Sequence, residues 1–167
     1  MSAFDFLSPG LATVELQAAA GGGERAGDGV WVRDVSLALG KVDVRGEAAA
    51  FGLDAPGVSR TDGDARLCRL TPLRGLVLCP PGDVPRWAAD GVDVTCAYAA
   101  LRLGGERRLD LFRRISDLDV RPRAFAPDAV ASAPVAGCAG IVVNEGDTLL
   151  LLAGWEYGAY LWEVAQL

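Results

Sequence analysis

The sequence predicts an α+β fold of two pseudo-repeated β-rich halves, each with helices. Three observations predict it. From residue 30 onward the chain is strand-rich, with short β-branched and alternating segments cut by glycine and proline turns. The pair Gly46-Glu47 recurs as Gly105-Glu106, 59 residues later. Leu76-Val77-Leu78 stands before Trp87 as Leu150-Leu151-Leu152 stands before Trp162, and the two tryptophans are 75 residues apart. One such half leaves a sheet face uncovered, so two halves packed together are the economical way to bury both faces.

Residues 1–29 read as an N-terminal arm. Val14 to Ala20 has the composition of one or two helical turns, and Gly21 to Gly29 that of a flexible glycine-rich loop. No apolar strand precedes this loop and no Gly-Lys-Ser/Thr ends it, so it is not a phosphate-cradling P-loop. Residues 30–167 form a single domain, with halves at about 30–90 and 91–167. In the first half, Val30 to Val35 and the alternating Lys41 to Arg45 read as strands. Gly46-Glu47 opens a short helix over Ala48 to Leu53, which Pro56-Gly57 closes. Strands follow at Ala65 to Leu70 and Leu76 to Cys79, then a helix around Pro85 to Ala89 with proline in its first turn.

The second half reads alike. Val92 to Leu103 is a strand bent near Ala99-Ala100, and a helix runs from Gly105 to Ile115 with Leu111, Ile115 and Leu118 on one stripe. Arg121 to Pro134 is a connection. Gly140 to Val143 and Thr148 to Leu152 are strands joined by the turn Asn144-Glu145-Gly146-Asp147. In the final helix Tyr157, Leu161 and Val164 share the inward face, and Trp155 and Tyr160 point outward.

Composition narrows the chemistry. The chain of 167 residues has no histidine, which removes Ser-His-Asp and Cys-His catalysis and histidine-ligated zinc. Cys68, Cys79, Cys96 and Cys138 contain no C-x-x-C pair and sit in apolar strand contexts, so they read as inert core thiols rather than a metal or redox site. The start Met1-Ser2-Ala3-Phe4-Asp5 lacks a secretory pattern, and no apolar run reaches membrane-spanning length, so the expected location is the cytoplasm. A net charge of −6 speaks against nucleic acid as partner. Residues 102–123 are locally basic, with seven arginines against four acids. They read either as a solvated helix face or as a docking face for an acidic partner surface or a phosphate group.

Asp34-Val35-Ser36, Asp93-Val94-Thr95, Tyr98 to Leu101 and Tyr160 to Glu163, in that order, resemble motifs of the glycine-cleavage T-protein (aminomethyltransferase) superfamily. Asp34-Val35-Ser36 with Leu39 to Gly46 is similar to that superfamily's early DVS stretch, with one extra residue after Ser36. Asp93-Val94-Thr95, Tyr98 to Leu101, Gly105 and Leu109 to Val120 are similar to its DVT–YAAL–helix stretch. Val135 to Gly137, Thr148 to Leu152 and Tyr160 to Glu163 resemble its closing segment. Within the superfamily the chain most resembles the small gamma subunits of heterotetrameric sarcosine oxidases, which share its shortened first half. The resemblance covers about residues 30–166 and implies a shortened folate-binding-domain fold of two β-β-α-β-β-β-α-like halves. It further implies a non-catalytic component of a flavoenzyme complex oxidising N-methyl amines, acting in assembly or stabilisation. FAD, FMN, NAD or tetrahydrofolate would then belong to larger flavoprotein subunits, and this chain would hold no cofactor. The alternative is a stand-alone tetrahydrofolate-binding, aminomethyltransferase-like protein.

Site candidates follow from both readings. Glu145, Asp147 and Trp155 are the candidate folate relics, although a polar turn explains the two acids equally well. Trp155, Tyr160, Arg107, Arg108, Arg113 and Arg114 are the interface candidates, because Trp, Tyr and Arg dominate binding hot spots. No catalytic or metal-binding residue is assigned. Asp34 and Ser36 form a strand-end hydrogen-bonding pair in preference to a catalytic one, since nothing activates the hydroxyl. Lys41, the sole lysine, is out of phase with inward Val42 and is expected to face water.

Overall fold

The computed structural model describes residues 24–27 and 29–165. The helical turn expected at Val14 to Ala20 and most of the glycine-rich loop lie outside them. Within that loop stretch, β1 (Glu24–Gly27) is a strand, because it pairs along β2 (Val30–Asp34). The first half continues with β3 (Gly40–Arg45), a 3-10 turn (Gly46–Ala50), β4 (Val58–Asp62), β5 (Ala65–Thr71), β6 (Arg74–Cys79) and the short helix α1 (Val84–Trp87). The second runs through β7 (Gly91–Asp93), β8 (Tyr98–Gly104), α2 (Arg108–Ile115), β9 (Val130–Val135), β10 (Cys138–Asn144), β11 (Leu149–Gly154) and α3 (Gly158–Val164). From β2 onward each half is therefore β-β-helix-β-β-β-helix, as the resemblance implies; periodicity alone revealed one strand fewer after the first helix in both halves and one fewer before it in the second.

The strands form two antiparallel sheets, ordered β1-β2-β8-β11-β10-β9 and β4-β5-β6-β3-β7. Read from the central strands outward, β8-β11-β10-β9 repeats β3-β6-β5-β4. The halves exchange their first strands. β2 precedes β3 in the chain but pairs with β8, and β7 precedes β8 but pairs with β3.

Three apolar layers hold this arrangement. Leu76, Leu78 and Cys68 of one sheet meet Ala100, Ile141, Val143, Leu150 and Leu152 of the other. Outside the first sheet, Leu111, Phe112 and Ile115 of α2 and Leu161 and Trp162 of α3 cover Leu101, Leu103, Val142 and Leu151. Outside the second, Phe51, Val84 and Trp87 cover Val42, Val44, Leu67 and Val77. Helix, sheet, sheet and helix thus stack so that every central strand is buried on both faces.

The structure corrects several sequence expectations. The helix expected over Ala48 to Leu53 is the 3-10 turn Gly46–Ala50, which ends where Phe51 adopts φ +48°. Phe51 there lays its ring over Gly75, where a Cβ would approach within 2.2 Å. The strand expected from Val92 to Leu103 breaks at Thr95–Ala97, not at Ala99-Ala100, because its two parts serve different sheets. The connection expected from Arg121 to Pro134 contains β9, an edge strand in which Pro134 pairs with Ala139 and gives its carbonyl outward to Ser116 Oγ. β4, polar and largely exposed, carries no apolar alternation to announce it.

Candidate functional site

The motifs Asp34-Val35-Ser36 and Asp93-Val94-Thr95 begin the two strand exchanges, 59 residues apart. Each opens with an Asx turn: Ser36 N donates to Asp34 Oδ1 at 2.8 Å and Thr95 N to Asp93 Oδ1 at 2.9 Å. Each then reaches the opposite half. Val35 N donates to Ala100 O and Val94 N to Lys41 O, both at 2.9 Å. Ala100 N returns a bond to Ser36 Oγ at 2.9 Å, and Lys41 N to Thr95 Oγ1 at 3.0 Å. Ser36 is thus a hydrogen-bonding residue of the crossover.

Lys41 departs from the expectation that it faces water, being fully buried. The face of β3 opposite Val42 looks toward the other sheet. There Lys41 Nζ donates to Ser36 O at 2.5 Å, Leu39 O at 2.9 Å and Thr95 O at 3.3 Å. Three donated bonds require the ammonium form, and they link both crossovers through one nitrogen. Sequence reasoning missed this cluster, although the 59-residue offset already seen at Gly46 and Gly105 extends back to Asp34 and Asp93.

Glu145 lies at the turn between β10 and β11, where Gly146 N donates to Asn144 Oδ1 at 2.9 Å. Its carboxylate is committed: Arg102 Nε and Nη2 reach it at 2.7 and 3.0 Å, and Thr148 Oγ1 donates at 2.7 Å. This ion pair mirrors one in the other half. Asp43, 59 residues before Arg102, accepts Arg74 Nε with its Oδ1 at 3.4 Å, while Arg74 Nη2 donates to Tyr98 OH at 2.9 Å. Asp147 is exposed on the turn. The thiols split: burial pushes Cys68 up to about 12, Cys79 is also buried, Cys138 is half-buried, and Cys96 is exposed. The last two correct the expectation of four core thiols; Cys96 sits in the crossover turn and not in a strand.

The aromatic expectations are partly reversed. Trp155 begins a 3-10 turn (Trp155–Tyr157), not an α-helix, and that tighter winding lays its ring on Ala99 at 6 % exposure. Its ring is therefore buried and not turned outward. Tyr157 instead points outward at 42 % exposure, and Tyr160 stays outward at 47 %, its hydroxyl donating to Ala136 O at 3.1 Å.

The arginines separate as well. Arg108 is half-buried and donates to Gly105 O and Gly146 O, tying α2 to the Glu145 turn. Arg107 and Arg113 share Asp110 at 3.5 and 3.4 Å, and Arg114 is exposed. Ala136 N donates to Ile115 O, so the β9–β10 hairpin joins the end of α2 to Tyr160. Tyr160, Arg113 and Arg114 thereby share the helical layer outside the first sheet. Among the described residues no group of three or more His, Cys, Asp or Glu side chains can hold a metal ion, and no helix is long and apolar enough to cross a membrane.

No family model and no curated protein matches the sequence. Solved structures do match in fold. A chain of the heterotetrameric sarcosine oxidase from Corynebacterium sp. U-96, determined in complex with pyrrole 2-carboxylate, superposes with a TM-score of 0.72 at 19% identity, covering 95% of this chain and 94% of that one. The glycine cleavage system aminomethyltransferase T from Bartonella henselae superposes with a TM-score of 0.66 at 13% identity, covering 95% of this chain and 56% of that one. The protein has the T-protein-like α+β fold, and it spans little more than half the length of the aminomethyltransferase.

Proposed function

We propose that this T-protein-like domain is a small non-catalytic subunit, gamma-like, of a sarcosine-oxidase-type flavoenzyme complex that oxidises N-methyl amines, and that it acts in assembly or stabilisation. The observation that carries this reading is the near end-to-end correspondence with a chain of a heterotetrameric oxidase, where the aminomethyltransferase corresponds over little more than half its length. The chemistry of the chain agrees. Histidine is absent, the Ser36 hydroxyl is spent on the Ala100 backbone, and the Glu145 carboxylate is spent on Arg102 and Thr148. FAD, FMN, NAD or tetrahydrofolate would sit in the larger subunits, in the cytoplasm, where free thiols persist.

The test is affinity purification of the tagged chain from its own cells, read by flavin absorbance and by oxidation of sarcosine. The expected result is co-elution with a larger flavin-bearing chain, activity in the complex and none in the separated small chain. Turnover of an amine by the small chain alone, or elution without any flavoprotein, overturns the reading.

The alternative, a stand-alone tetrahydrofolate-binding protein, needs Glu145 or Trp155 open to a ligand. Both are occupied by packing or pairing, and Asp147 lies on an exposed turn. Calorimetric titration with tetrahydrofolate is expected to give no saturable heat; a saturable isotherm would restore that alternative.

A further inference from the structure

The two crossovers place a pair of loop tips at one end of the molecule, Leu37-Ala38 and Cys96-Ala97, again 59 residues apart. All four residues are exposed, and Ser36 to Leu39 and Thr95 to Tyr98 contain no charged side chain. One ammonium nitrogen touches the backbone of both loops. Burying an ammonium costs several kcal/mol unless its hydrogen bonds are supplied, here by carbonyls of the loops themselves. What the buried charge secures is therefore the relative position of two apolar tips that cover no core of their own. Loops fixed before binding lose little entropy on binding.

The surroundings are acidic. Asp83 and Asp93 both lie near enough to Cys79, the register partner of Gly40, to help burial push its thiol up. The Glu156 carboxylate folds over Gly154, the register partner of Tyr98. Exposed Tyr157 belongs to the same turn as Glu156.

We propose that these tips form one preformed docking knob that seats in an apolar socket rimmed by Arg or Lys side chains on the larger flavin-bearing chain. The proposal rests on the subunit reading above and names the surface that reading leaves open. Four exposed residues fall far short of the roughly 800 Å² per partner of a stable interface, so the knob is its anchor and not its whole. A second copy is a poor occupant, because tip-to-tip contact would face acidic rims of two chains of net charge −6.

The test uses the assembled complex. Cys96 is expected to react with iodoacetamide in the isolated chain and to be protected more than about tenfold in the complex, since the anchor of an interface is desolvated. Leu37→Asp, at an exposed position, is expected to keep the wild-type circular dichroism and Tm yet raise Kd by about tenfold or more. An assembled complex with Cys96 labelled at the free-chain rate, or with Leu37→Asp bound at wild-type strength, overturns the knob and leaves the subunit reading standing. Failure of any flavin-bearing chain to assemble overturns both.

Discussion

Strand alternation gives Lys41 the face opposite Val42 and Val44, and in a protein of one sheet that face is water. Here it is a second sheet, so the same alternation buries the ammonium among three carbonyls. Lys41→Met removes those three donors but also a buried charge, and the two effects oppose each other. The net loss is expected to be about 2 kcal/mol, with faster amide exchange at Thr95 and Ala97 than in the wild type. Unchanged exchange there would show that the nitrogen fixes nothing. Cys68 poses the converse case, a neutral group kept neutral by burial, with its thiol raised from 9.0 to about 12. Both folded and unfolded thiols hold their protons below pH 9.0. Above it the unfolded chain releases a proton that the folded chain retains, so stability falls as pH rises toward 12. Denaturant unfolding of Cys68→Ala is expected to show a shallower alkaline loss than wild type; parallel curves would refute the assignment.

At the exits of the two central strands, pseudo-equivalent glycines both have positive φ, +72° at Gly46 and +94° at Gly105, but their surroundings differ. A Cβ at Gly46 meets nothing within 4 Å, whereas one at Gly105 would lie 2.3 Å from Gly29 O. Gly46→Ala is expected to cost about 1 kcal/mol, the left-handed penalty alone. Gly105→Ala is expected to cost about 3 kcal/mol, because the backbone of the segment before β2 must also move. Equal midpoint shifts in urea would contradict this ordering. Elements of this kind mark what the sequence makes legible. The central strands, α2 and the Gly-Glu exits were readable because buried alternation and helical stripes leave a periodic trace. β1, β4 and β9 were not, since an edge strand is held by backbone pairing with its neighbour and needs no apolar rhythm of its own. Trp155 and Tyr157 exchanged places for a related reason: a 3-10 turn steps by 120° per residue, so α-helical phase misassigns both. The Glu145 turn was legible from its residues, but its ion pair with Arg102 was not, because that partner lies 43 residues away in sequence.

The exchange of β2 and β7 makes neither half a complete sheet. Residues 91–167 would fold without β2 along β8, and residues 1–90 without β7 along β3. In each fragment the Asx-turn loop would also lose its bonds to the other half, since Ser36 Oγ reaches across to Ala100 and Lys41 N across to Thr95. The inter-sheet layer draws on both halves, so each fragment alone would expose it. Cutting the chain in the turn between α1 and β7 interrupts no sheet pairing, however. The two fragments are therefore expected to lack cooperative thermal unfolding when separate and to regain it, with native-like circular dichroism, when mixed in equal amounts. Recovery should be concentration-dependent, because closure becomes bimolecular. A single fragment that unfolded cooperatively by itself would show that the half, and not the exchanged pair, is the folding unit. The same logic bears on assembly: if the two crossover tips are positioned only when both halves meet, the mixed fragments should bind a flavin-bearing partner and neither fragment alone should.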